Sequence, residues 1–333
     1  FLADKTLGIV YNGEVYNYRE IRKELRSQNW TFETETDSEV LLKAWAEWGS
    51  ECLVRLEGMF AFAVVDLTTL TMTCVRDAFG IKPFFFSNDQ DRFLFGSELR
   101  ALLRLFRDRP KPDLERAYAY LVHGDYDNGS RTFVEGVNHL PPGTMLEVDL
   151  KGGIVGEPIA WWSPDTTLRS ELKFSDAAEE LREKFLDNIR LHLRSDVPIG
   201  AALSGGIDSS ALVCAIRHVA PDHPIDTFSY LADDRGLSEE PWIDVVNQAV
   251  GATPHKVTPN ANDLSRDIES VLKAQGEPFG SMSIYAQYRV FRHAQENGIV
   301  VMFEGQGADE LLAGYHGYPG HRILSLLEEG RPL

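Results

Sequence analysis

The stretch PIGAALSGGIDSSALVCAI, Pro198–Ile216, constrains the fold of this chain more than any other. A short apolar run, Ile199–Leu203, meets a Ser-Gly-Gly turn and passes at once into a helical pattern. Strand, tight glycine turn and helix in that order form a βα unit, the building block of a parallel sheet with helices packed on its faces. Small residues let backbone N–H groups approach an anion closely, and the helix aims its positive end at the same place. The turn is a phosphate cradle in outline. It is not a Walker A loop, because no lysine stands beside its Ser/Thr; the nearest are Lys184 and Lys256. Asp208 lies in the middle of the cradle, where a bare carboxylate would repel phosphate. A divalent cation removes the conflict, with Asp208 as a hard oxygen ligand to Mg²⁺. The plainer alternative, a Gly-Gly turn with Asp208 favouring the first helical turn, stays open on this loop alone.

A second loop repeats the pattern. FEGQGADELLAGY follows the apolar run Ile299–Phe303 and places Asp309 and Glu310 at a helix start. Two such loops at the carboxyl ends of two parallel strands converge where open α/β sheets bind ligands. IDTFSYL supplies a further strand, and FSDAAEELREKFLDNIRLHLR has helical spacing, with Ser175 as N-cap and Leu181, Phe185 and Ile189 on one face. The first half has another texture: from Leu7 to about Asp149 short strands and turns dominate. GIVYNGEVYN reads as strand, Asn-Gly turn, strand. TFETETDSEVLLKAWAEWG reads as an edge segment feeding a helix, FAFAVVDLTTLTMTCVRD as a hairpin, and DRFLFGSE as a strand. The join falls in EPIAWWSPDTTLRSE. The expectation is an α+β domain of antiparallel sheets with helices, then an α/β domain with a parallel sheet.

Composition narrows the function classes. With 33 basic and 51 acidic side chains the net charge is −18, which disfavours a general nucleic-acid or anionic-membrane surface. No apolar run approaches the roughly 20 residues that span a bilayer. Cys52, Cys74 and Cys214 stand apart without metal spacing, and core packing is the expected role of each; their scarcity suggests a reducing, cytoplasmic setting. The chain opens at Phe1 without an initiator Met and closes on LSLLEEGRPL just after a helical pattern, so both ends read as cut from something longer.

SGGIDSS with GQGADELLAGY resembles the pyrophosphatase-loop synthetase domain of the asparagine synthetase family. YNGEVYNYREIRKEL, TDSEVLLKAW, LEGMFAFAVVD, RDAFGIKPFFF and FGSELRAL resemble, in order, the class II glutamine amidotransferase domain of the same enzymes. The resemblance covers Gly8 to Tyr318. It implies an N-terminal nucleophile-hydrolase-like domain over residues 1–165 and an ATP-binding synthetase domain over 174–333. It further implies that Asn12 and Gly13 form an oxyanion hole and that Glu14 and Asp37 hold the glutamine α-ammonium. Ser204, Gly205, Gly206, Asp208, Ser209 and Ser210 then resemble the pyrophosphate cradle, and Leu203, Tyr230 and the Glu304-Gly305 backbone the surroundings of adenosine. Asp208 and Asp309 resemble the Mg²⁺ ligands. Arg76 and Lys82 take a structural role, and GEPFGSMSIYAQY, Gly276–Tyr288, looks like the acceptor-side loop or else a helix cap.

The family's nucleophilic cysteine and a glutamine-gripping arginine would precede Phe1, and its catalytic lysine would follow Leu333. Gln306 departs from the usual Glu, and a neutral amide binds a cationic amine less strongly. The activity implied is glutamine-dependent asparagine synthesis with ATP and Mg²⁺, on small-molecule substrates, without nucleic acid or membrane; a homodimer stays open. The alternatives are a relative that amidates or cyclises another carboxylate, such as a sugar acid, a peptide or a β-lactam precursor, and a non-catalytic scaffold.

Overall fold

The computed structural model describes residues 6–89, 92–126, 129–165, 172–232, 236, 238–328 and 330. The chain divides into two compact units: Phe1–Leu172 with Ile268–Gly280, and Lys173–Asp267 with Ser281–Leu333. The first unit thus takes in a segment that lies far down the chain, inside the stretch read as the synthetase domain.

In the first unit the strands are β1 (Leu7–Val15), β2 (Gly58–Asp66), β3 (Thr71–Arg76), β4 (Phe85–Asp89), β5 (Arg92–Gly96), β6 (Asn138–His139), β7 (Thr144–Asp149), β8 (Ile154–Val155) and β9 (Ile159–Ala160). Its helices are α1 (Tyr18–Ser27), α2 (Asp37–Trp48), α3 (Leu99–Leu103) and α4 (Leu114–His123). One antiparallel sheet runs β1-β2-β3-β7-β8 with β9 also on β7, and a second runs β5-β4-β6. The unbroken apolar run FAFAVV on β2 explains the layering, because a strand buried on both faces needs no polar alternation. Phe60, Phe62 and Val64 pack with Ile21 and Leu25 of α1 and Val40, Leu41 and Ala44 of α2. Ala61 and Ala63, on the other face, join Cys74, Leu146 and Phe84, with Phe86, Phe93 and Phe95 from the second sheet.

Asn12-Gly13 is not a turn. β1 runs straight through it, pairing Asn12 with Ala61 and Gly13 with Phe60 of β2. The glycine is required by close approach, since a Cβ on Gly13 would stand 2.3 Å from Met59 O and 2.7 Å from Phe60 Cα. Residues 31–36 form no strand either; Thr36 caps α2, its hydroxyl accepting from Glu39 N–H.

The second unit holds β10 (Ile199–Ala202), β11 (Asp226–Tyr230), β12 (Thr253–Val257) and β13 (Val301–Phe303), with α5 (Phe174–His192), α6 (Ile207–Val219), α7 (Glu240–Val250), α9 (Ser283–Glu296), α10 (Ala308–Leu312) and α11 (Tyr318–Glu328). Helix α8 (Ala261–Gln275) crosses the division. The sheet is parallel, in the order β12-β11-β10-β13. Ala201, Leu203 and Phe303 join the core formed with α5, α6 and α7, while Phe228, Met302 and Ala202 pack with Val290 and Ala294 of α9. Asp267 pins α8 to α9, accepting from Tyr285 Oη at 3.2 Å, Arg289 Nη1 at 2.6 Å and Arg292 Nη1 at 3.0 Å.

Some local readings need correction. Lys173, not Ser175, occupies the N-cap of α5; Ser175 lies inside the first turn, its hydroxyl on Asp176. Leu181 is exposed, and Leu186 takes the buried place beside Ile189. Cys52 and Cys74 are buried but Cys214 is exposed on α6. Burial pushes the Cys52 thiol up to about 12 and the Cys74 thiol up as well, which leaves both unreactive. No described helix is long and apolar enough to cross a membrane.

Candidate functional site

Each unit gathers its own set of expected residues. In the first, Asn12, Gly13 and Glu14 follow one another on β1, and the structure ties Asp37 to the same strand. Asp37 Oδ2 accepts the Tyr11 hydroxyl at 2.7 Å and the Val15 N–H at 3.0 Å. Asp37 is the first residue of α2, so the N-terminal end of that helix is anchored to β1 on either side of Asn12–Glu14. Burial above all, then the charge of Asp37, keeps the Tyr11 phenol protonated, and Glu14 adds to this. Burial followed by the charge of Glu14 pushes Tyr16 up to about 12. Two carboxylates therefore act on the same stretch of strand, a negative field suited to an ammonium group. Tyr11 was missed in the sequence reading because it looks like any aromatic core residue of a strand. Tyr11→Phe should leave the fold intact and take from Asp37 one of its two donors on β1, so that the Val15 amide exchanges with solvent roughly tenfold faster, the scale of one lost charge-assisted hydrogen bond; hydrogen exchange at Val15 would check this.

The Arg76 side chain ties backbone segments together, and Lys82 takes part in the same arrangement through its main chain. The Arg76 guanidinium donates to Lys82 O at 2.9 Å, Leu140 O at 2.7 Å and Gly80 O at 2.8 Å. Beside it, buried Asp77 collects four backbone N–H groups, those of Phe60, Phe79, Ile81 and Lys82. The GEPFG segment is more than a helix cap. Glu277 accepts from Phe133 N–H at 2.9 Å, and its other oxygen lies 3.1 Å from His139 Nε2. The Tyr120 hydroxyl donates to Phe279 O at 2.9 Å, and Gly280 lies so close to the Tyr126 ring that a Cβ would come within 2.3 Å.

In the second unit β10 and β13 are neighbours, Ala201 opposite Phe303. After β10 the chain leads through α6 to β11 on one side, whereas β13 borders β10 on the other; the strand order reverses here. Ligands of open α/β sheets bind at this place, beyond the carboxyl ends of the strands. Leu203 and Glu304 directly follow the last residues of β10 and β13, and Tyr230 is the last residue of β11, so all three stand at those ends.

The first loop is held by a serine hub. Ser209 Oγ is 3.0 Å from Ser204 Oγ, accepts Ser204 N–H at 3.2 Å and lies 3.3 Å from Gly206 O. Gly205 takes φ +88°, open to glycine at little cost, and lies against Glu239 O and the Trp242 and Ile243 side chains of α7. Gly206 is the N-cap of α6 and brings no side-chain hydrogen bond, so the first N–H groups of a 13-residue helix face the cradle uncapped by side chains. Ser210 N–H is already used within the helix, on Gly206 O at 3.1 Å.

The second loop lies on the first through Gly305, whose missing Cβ would stand 3.1 Å from Asp208 Cβ and 3.2 Å from Ser209 N. A side chain there would press on the start of α6, whose atoms would have to give by a few tenths of an ångström. Gln306 is exposed, and Asp309 is folded back against Gly314. Glu310 accepts the Tyr315 hydroxyl at 2.7 Å. Glu304, half-buried like Asp309, is engaged from α9: Gln287 Nε2 donates to its two oxygens at 3.2 and 3.3 Å. Among the described residues no three His, Cys, Asp or Glu side chains cluster as metal ligands. Asp208 has the hard oxygen chemistry of a Mg²⁺ ligand, whereas Asp309, the second expected ligand, is turned onto Gly314.

Residues 1–161 match the family described as "Glutamine amidotransferase domain", and residues 180–331 match "Asparagine synthase". "Asparagine synthetase [glutamine-hydrolyzing] 3" of Bacillus subtilis (strain 168) is 31% identical over 323 residues, covering 93% of this chain and 52% of that protein. "Putative asparagine synthetase [glutamine-hydrolyzing]" of Mycobacterium tuberculosis (strain ATCC 25618 / H37Rv) is 33% identical over 317 residues, covering 92% of this chain and 47% of that one. The chain spans about half the length of these curated relatives. With an antiparallel amidotransferase unit and a parallel synthetase unit each matching its own family, the chain belongs to the glutamine-hydrolysing asparagine synthetase family.

Proposed function

We propose that the protein carries out glutamine-dependent amidation of a carboxylate with ATP, and that the carboxylate is the β-carboxylate of aspartate, giving asparagine, AMP and pyrophosphate. The observation that carries this reading is the pairing of β10 with β13, which sets the SGGIDSS and EGQGADE loops side by side where the strand order reverses. The names of the curated relatives favour aspartate over a sugar acid, a peptide or a β-lactam precursor.

In the synthetase unit the uncapped N–H groups at the start of α6 and the Ser204–Gly206 turn would hold the β and γ phosphates as they leave together. Leu203 and Tyr230, with the Glu304-Gly305 backbone, would surround adenosine. Asp208 and Asp309 would hold Mg²⁺, which when bound neutralises phosphate charge. A carboxylate oxygen of the acceptor attacks the α-phosphorus and the bond to pyrophosphate breaks. Ammonia then attacks the acyl carbon, and AMP departs carrying that oxygen. In the amidotransferase unit the Asn12 amide and Gly13 N–H would stabilise the oxyanion of glutamine hydrolysis, with Glu14 and Asp37 on the α-ammonium.

The experiment follows the oxygen. Aspartate labelled with ¹⁸O in its β-carboxylate should transfer one label to AMP per amide formed. Label found in inorganic phosphate would mean activation at the γ-phosphorus and would contradict adenylation.

A further inference from the structure

Glu304 stands apart from the other acidic groups of the second loop. Asp309 is turned onto Gly314, and Glu310 is engaged by Tyr315. Glu304 is half-buried at the carboxyl end of β13, and its partner among the described residues is a neutral amide, Gln287 Nε2, shared between both oxygens. The alternation of β13 explains the side it occupies: Met302 packs with α9 residues, Phe303 joins the opposite core, and Glu304 returns to α9. The next residue, Gly305, lies on Asp208 and Ser209 at the start of α6. Glu304 is thus joined through the next residue of the chain to the loop that touches the start of α6.

A carboxylate withdrawn from water without a counter-ion is costly, and a ligand that brings a positive charge offsets the cost. Burial raises the pKa of Glu304, with the Gln287 hydrogen bond opposing it, and a positive charge placed beside it would favour the ionised form. Gln306, two residues on, is neutral and exposed and cannot supply that charge.

We infer that the Glu304 carboxylate, aimed by Gln287, recognises a positive charge on the acceptor, so that the acceptor carries an ammonium group close to the carboxylate that is activated. This rests on the adenylation reading above, and it gives a charged side chain to a position assigned until now only through its backbone. Sugar acids and other acceptors without an amine would leave Glu304 uncompensated.

The test uses the native full-length protein and ATP–pyrophosphate exchange, with L-aspartate and its des-amino analogue succinate as probes. Aspartate should exceed succinate roughly a hundredfold in kcat/KM, the scale for losing one partner of a desolvated charge pair. Glu304→Gln should raise the KM for aspartate by a similar factor and narrow the preference over succinate, while the KM for ATP stays within about twofold, which also reports an intact fold. Equal exchange with succinate, or a Glu304→Gln variant that loses ATP affinity and keeps its aspartate KM, would overturn the inference. The second outcome would place the carboxylate on the nucleotide. Absence of exchange with every carboxylate would instead remove the adenylation reading on which it stands.

Discussion

Asp77→Ala is expected to open the first unit. The carboxylate is 1% exposed and takes Phe60 N–H and Lys82 N–H on one oxygen, Phe79 N–H and Ile81 N–H on the other. Its own backbone is committed as well, with Asp77 N–H on Phe60 O at 2.8 Å and Asp77 O accepting Gly143 N–H at 2.8 Å. Alanine would leave four donors without an acceptor in a space that water reaches poorly. Each such loss costs about 1–3 kcal/mol, and neighbours are not additive, so a total of about 3–5 kcal/mol is expected. That is a large part of the stability of an ordinary domain. The amides of Phe60, Phe79, Ile81 and Lys82 should exchange with solvent roughly a thousandfold faster, and urea should unfold the first unit at a lower concentration. Unchanged exchange at these amides would mean that the carboxylate is dispensable.

The second large effect belongs to Asp208→Ala. Asp208 lies in the first turn of α6, with Gly305 of the second loop against its Cβ. With Asp208 in the proposed role of Mg²⁺ ligand, at a site with few carboxylates and no cradle lysine, its removal should lower the rate of ATP-dependent turnover roughly a thousandfold, equivalent to about 4 kcal/mol. The deficit should shrink when nucleotide binding is compared without divalent cation, because the parent then loses the same contribution. Equal affinity of Asp208→Ala and parent for ATP in the presence of Mg²⁺, measured by calorimetry, would refute the role. The fold should survive, since the carboxylate makes no hydrogen bond among the described residues.

The layers of both units were legible because burial writes itself into the sequence. The run FAFAVV marks a strand covered on both faces, and IGAAL and IVVMF mark parallel strands under helices. The errors have a common cause, which is that the same letters serve different partners. Asn12-Gly13 has the composition of a hairpin turn, yet the glycine is demanded by the backbone of β2 only 2.3 Å from a would-be Cβ. β12 reads TPHKV, with no apolar run, because it lies at the sheet edge, where His255 stacks on Phe228 at 4.5 Å and bonds to Asp226. Ser175 has the chemistry of a cap, but the helix starts one residue earlier. In the candidate sites, motif spacing located the glycines and acids of both loops. It could not reveal Tyr11 behind Asp37, the Ser209 hub, or Gln287 behind Glu304, because each partner comes from elsewhere along its element or from another one.

Carboxylate-dependent exchange of labelled pyrophosphate into ATP tests the central claim most directly. Exchange reports reversible adenylation alone, so it needs neither ammonia nor glutamine. The native protein with Mg²⁺ and aspartate should incorporate label into ATP rapidly, omission of the carboxylate should abolish the signal, and Asp208→Ala should suppress it. Cleavage of ATP to ADP and phosphate, with no exchange for any carboxylate supplied, would contradict the account.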